Sequence, residues 1–170
     1  MEKPLQNIYQ NLQTLTGLHR QLLETVRIER EALVQADLLG IQKAISSKQA
    51  LLESIHQTEM ARLKLMTDLS IHWKQPFRQL TLTYLIIQIQ GDDPKGAEQF
   101  RSLLNALTVL IQRITAQNKD NKNLVECSLG HVHQMKKNSL AETTPRSSTY
   151  TSQGQRAQGA PAQRFLSREA

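Results

Sequence analysis

Apolar residues recur at helical spacing from the start of the chain: Leu5, Ile8, Leu12, Leu15, Leu22, Val26 and Leu33, in steps mostly of three, four or seven. The series continues through Ile41, Ile45, Leu52, Ile55 and Leu63, with Lys48 and Glu59 standing at two of its positions. One narrow apolar face on an otherwise polar rod predicts an amphipathic helix. Pro4 suits the first turn, where its missing N–H is harmless. Gly17 and Gly40 lie inside the run, and each weakens a helix by about 1 kcal/mol relative to Ala. The pattern reads as one helix over residues 5–71, with a bend near Gly40.

His72 to Pro76 interrupt the stripe, and Pro76 disfavours helix at Gln75. A shorter helix fits residues 77–90, with Phe77, Leu80, Tyr84 and Ile87 on one face. The same run alternates weakly and is rich in β-branched residues, as a strand would be, but a lone strand would have nothing to pair with. GDDPKG at 91–96 reads as a turn whose acids cap the next helix. That helix is predicted over residues 95–140. Its stripe is Phe100, Leu103, Leu104, Leu107, Leu110, Ile111 and Ile114, then Asn118, Asn121, Leu124, Val125, Ser128, Val132 and Met135.

After Leu140 the pattern stops. Residues 142–170 are rich in Ser and Thr and carry no apolar period, so they bury too little surface to offset the entropy of ordering. The expected organisation is a helical domain over 1–141 and a disordered tail over 142–170. The expected fold class is all-α: an elongated antiparallel hairpin or bundle of two long helices, with a short helix laid across one end.

Composition supports narrow helical seams. Aromatic residues are only 4% of the 170, so small aliphatic side chains do the packing. The net charge of +6 is uneven: residues 1–94 hold ten basic and ten acidic side chains, whereas 95–141 hold seven and three. The bases are scattered, apart from Lys136-Lys137, and lack an aromatic platform, which argues against a nucleic-acid binder. The longest apolar stretch falls far short of the roughly 20 residues that cross a bilayer. MEKPLQNIYQ does not read as a signal peptide, so a cytoplasmic location is expected.

No motif for catalysis, a cofactor or a metal emerges. GDDPKG lacks the spacing of a phosphate loop. His131 and His133 are two apart and point away from each other on a helix. His19, His56 and His72 have no ligand partners at suitable spacing, and the single Cys127 has no triad around it. The chain reads as a non-enzyme.

Two features stand out. Asn118 and Asn121 fall on the seam between Ile114 and Leu124. They either fix register between packed helices or mark where the seam opens to another protein's helix. Tyr150 is a lone ring in a polar tail, either an incidental linker residue or a docking element.

The chain resembles the FlgN family of flagellar export chaperones. The resemblance rests on Glu31-Ala32-Leu33, Asp37, Ile41, Lys48, Leu51-Leu52, Ile55, Glu59 and Arg62, on NKDNKNLV at 118–125 and on TYTSQG at 149–154. It implies a cytosolic chaperone without ATPase activity. Such a chaperone binds the C-terminal helical regions of hook-associated proteins of the FlgK and FlgL type. It prevents their premature assembly and delivers them to the type III export gate, contacting the gate protein FlhA through the tail, here Tyr150. The expected cargo surface is Leu124, Val125, Leu129, Val132 and Met135, with Asn118 and Asn121 setting register. Two rivals stay open: a coiled-coil protein that self-associates through the same stripes, and a chaperone for another helical cargo.

Overall fold

The computed structural model describes residues 3–143, with side chains through residue 140. Among them the elements are helical: α1 (Lys3–Val34), α2 (Leu38–Trp73), a 3₁₀ turn (Phe77–Gln79), α3 (Leu82–Ile89) and α4 (Pro94–Thr143). Of the tail expected over 142–170, residues 142–143 still belong to α4 and residues 144–170 lie outside the described residues. The chain divides into two units, Met1–Val125 and Glu126–Ala170. In the second, residues 126–143 are helical.

The all-α expectation holds, but the single helix over 5–71 is two helices folded back on each other. The break falls at Gln35-Ala36-Asp37. Ala36 adopts a left-handed conformation, φ 53°. The Asp37 N–H donates to the Ala32 carbonyl at 2.9 Å and the Ala36 N–H to Leu33 at 3.3 Å, a Schellman closure of α1. Glycine normally holds the left-handed position. Alanine stands there instead, so no local residue announces the stop. The glycine that matters lies four residues on. A Cβ at Gly40 would come within 2.5 Å of the Asp37 carboxylate and 3.1 Å of the Ala32 methyl. The bend expected near Gly40 is therefore a full reversal just before it.

Contacts within the first unit fix its topology. The Asn11 amide donates to the Thr58 carbonyl at 3.1 Å, and Glu29 meets Lys48. Rising numbers on α1 thus meet falling numbers on α2, so these two helices are antiparallel. Tyr9 packs edge-to-face on Phe100 with ring centroids 5.5 Å apart, whereas Val26 meets Asn121. Helix α4 therefore runs parallel to α1. The expected antiparallel pairing of the first and last rods is replaced by an up–down–up bundle, because the hairpin has already returned the chain to the starting end.

Two clusters form the interior. The larger joins Leu5, Ile8, Leu12 and Leu15 to Met66 and Leu69, to Leu85, Ile86 and Ile89 of α3, and to Phe100 of α4. Burying each such side chain contributes roughly 1.5–3 kcal/mol. The smaller cluster is Leu22, Val26 and Ile114. The short segment expected over 77–90 is a 3₁₀ turn followed by α3, not a strand. Thr81 caps α3 by accepting the Tyr84 N–H at 3.1 Å. Asp93 caps α4 in the same way through the Gly96 N–H at 2.9 Å, as the 91–96 turn predicts.

Candidate partner-binding surface

The apolar stripe of α1 ends in Leu22, Val26, Glu29 and Leu33, so an acid sits where the period calls for an aliphatic residue. The α2 stripe has the matching anomaly at Lys48. The hairpin brings the two together, and Lys48 Nζ donates to both Glu29 oxygens at 2.7 Å. Helix α4 adds the third member. Asn121 Nδ2 donates to the Val26 carbonyl at 3.0 Å and to Glu29 Oε2 at 3.1 Å. Asn121 is 4% exposed and Glu29 9% exposed. Removing a carboxylate and an ammonium from water costs several kcal/mol each, and only good mutual geometry offsets it. The bidentate Lys48 contact together with the Asn121 amide supplies that geometry. Asn121 Oδ1 is buried without a hydrogen-bond partner, a residual cost of about 1–3 kcal/mol. Arg30 and Asp120 also bridge α1 and α4, at 3.8 Å, but both are well exposed, and such a pair contributes at most about 1 kcal/mol.

This cluster supports the register-fixing reading of Asn121, since its amide meets one register of α1 and no other. Asn118 is half-buried and lines a shallow groove of about 310 Å³ together with Leu33, Ile41, Ile45 and Val125. Past Asn121 the apolar positions of α4 change character. Ile114 is 8% exposed, whereas Val125 is 40%, Leu129 53%, Val132 61% and Met135 68% exposed. Leu124 is half-buried. Within the second unit, spacings of three keep Leu129, Val132 and Met135 on one helix face. Of the expected residues, Asn121 is thus sealed against α1 within the first unit, whereas Leu129, Val132 and Met135 of the second unit are exposed. Tyr150 lies outside the described residues.

Glu29 is not among the residues singled out from the sequence. Its heptad offset from Leu22, together with Lys48 at an apolar position of the next helix, was the available signal. Among the described residues no group of three His, Cys, Asp or Glu side chains is placed to hold a metal. No helix among them is long and apolar enough to cross a membrane. Cys127 is exposed.

The described residues form an all-α helical bundle without a catalytic or metal-binding cluster among them. The family model described as FlgN protein matches residues 1–158, which takes in both the 118–125 segment and the 149–154 tail motif. The chain belongs to the FlgN family, and its role is that of a flagellar export chaperone. No curated protein and no solved structure matches it.

Proposed function

We propose that this chaperone binds the C-terminal helical regions of hook-associated proteins of the FlgK and FlgL type, in the cytoplasm, and delivers them to the type III export gate. The observation that carries the reading is the open face of α4, with Leu129, Val132 and Met135 each more than half exposed. Contiguous exposed apolar side chains mark interaction sites. An α-helical cargo segment that pairs only after assembly carries a complementary stripe, and helix-in-groove packing would cover both. Asn118 and Asn121 set the register of α4, and Leu124 and Val125 begin the cargo surface. No fuel is required, because a moderate affinity protects the cargo and the gate removes it. In this reading Tyr150 contacts the gate protein FlhA, and residues 142–170 act as a tail that serves export rather than folding.

Calorimetric titration with the purified C-terminal region of a hook-associated protein tests the cargo assignment. Wild type binds 1:1, and Leu129→Asp loses most of the affinity without a change in melting temperature. Equal binding by Leu129→Asp removes the α4 face from the account. A chaperone that is a dimer through this face and ignores the cargo would instead fit the self-associating coiled coil.

A further inference from the structure

The grip of the hairpin on α4 weakens along the helix. Ala97 and Phe100 are 1% exposed, Leu107 and Ile114 8%, and all four sit in the two buried clusters. Among the described residues no side chain of α4 beyond Ile114 joins either cluster. Over residues 115–125 Asn121 alone is buried. The apolar burial that fixes the first half of α4 is missing from this stretch, and a polar contact stands in its place.

Three further properties set the stretch apart. Thr115, Asn118, Asp120, Asn121 and Asn123 are weak helix formers, because their short polar side chains compete for nearby backbone groups. Asn121 Oδ1 is buried without a hydrogen-bond partner, and opening returns it to water. Lys48 and Glu29 belong to α2 and α1, so their pair survives inside the hairpin when Asn121 leaves. Release of α4 therefore strands no buried charge, the step that makes most buried ionic contacts hard to break. The exposed Arg30–Asp120 pair adds little resistance.

We propose that residues 115–125 of α4 form a strap that transiently unwinds from the hairpin as a unit of its own, hinged at Ile114 and latched by Asn121. Segments that move are drawn from the low-stability end of a structure. This one combines little buried apolar surface, weak helix propensity and a latch that lets go without leaving an unpaired charge behind. Opening exposes the Val26 carbonyl and the Glu29–Lys48 pair to water, while Ala97, Phe100 and Leu107 keep the first half of α4 in the main core. The device is a property of the free chain and does not depend on the chaperone reading.

Native-state hydrogen exchange of the full chain, resolved amide by amide by NMR, tests this. Relative to unfolded-peptide rates, amides of 115–125 are expected to exchange about tenfold faster, or more, than those of 100–114. Asn121→Asp sets a second carboxylate against Glu29 and removes the amide donor. It should speed exchange of 115–125 by about a further tenfold, the loss of one hydrogen bond to a charged group, and leave 100–114 unchanged. Asn123→Ala, at an exposed position, should slow exchange of 115–125 about threefold through helix propensity, again without effect on 100–114. Equal protection across 100–125 in wild type overturns the proposal. An Asn121→Asp or Asn123→Ala effect spread evenly over both stretches overturns it as well, because α4 would then open as one piece. Unchanged exchange of 115–125 in Asn121→Asp removes the latch. Should Asn121→Asp fail to fold, wild type and Asn123→Ala decide between the strap and a uniformly held helix.

Discussion

Substituting Glu29 by alanine is the sharpest probe of what holds α4 to the hairpin. The substitution leaves Lys48 without its carboxylate and Asn121 without one of its two acceptors. Breaking a buried ion pair by removing one partner costs about 3–5 kcal/mol. The Lys48 side chain is 23% exposed, against 11% for Glu29, so it recovers part of its hydration. A loss of about 2–3 kcal/mol is therefore expected. Asn121→Ala loses a hydrogen bond to a charged acceptor, about 1.5–3 kcal/mol, and one to a carbonyl, about 1 kcal/mol. It also removes the unpartnered Oδ1, which returns about 1–3 kcal/mol, for a net loss of about 1 kcal/mol. The two substitutions share the Asn121–Glu29 bond, so the double variant should fall short of the sum by about 1 kcal/mol or more. Urea unfolding is the assay, because guanidinium would screen the ion pair. Trp73, the single tryptophan, is half-buried against the main core and reports the transition by fluorescence. A Glu29→Ala protein within about 0.5 kcal/mol of wild type, or strict additivity with Asn121→Ala, would refute the claim that this cluster joins the three helices.

Five other substitutions probe the remaining parts of the account. Gly17→Ala meets nothing within 4 Å and should stabilise by about 1 kcal/mol through helix propensity, whereas Gly40→Ala should gain less than Gly17→Ala, because its Cβ must displace the Asp37 carboxylate and crowd the Ala32 methyl; urea midpoints read both. Phe100→Ala empties a fully buried site against Tyr9 and should cost about 3–5 kcal/mol, measured in the same way. Val132→Asp, at an exposed position, should leave the melting temperature within about 1 °C while abolishing cargo binding in a titration. Tyr150→Ala should leave cargo affinity unchanged and reduce export of hook-associated proteins, and normal export would remove its docking role.

Helix content and the outer bounds of α4 were legible in the sequence, because both rest on a period that repeats over many turns. Asp93 and Pro94 even marked where α4 starts. The reversal at Gln35-Ala36-Asp37 was not legible. Its left-handed residue is an alanine, and the stripes of α1 and α2 continue in phase across it, so periodicity alone reports one rod. The direction of α4 was hidden for the same reason, since it depends on how many reversals precede it. Lys48 and Glu59 at apolar positions hinted at a polar contact between helices. Only the hairpin shows that Lys48 faces Glu29, whereas Glu59 instead meets Arg62 on its own helix at 2.8 Å. At the candidate surface, apolar spacing located Leu129, Val132 and Met135 but gave the same weight to Asn121. A buried amide and an exposed leucine look alike to a period, and accessibility separates them.

The central claim is that a cargo helix lies on the α4 face beyond Asn121. Cys127 is the single cysteine, so Cys127→Ser with Val132→Cys places one environment-sensitive fluorophore on that face. On titration with the C-terminal region of a hook-associated protein, the emission should shift to the blue and saturate at one cargo per chaperone. A label that stays solvent-exposed while calorimetry shows the cargo bound would contradict the account.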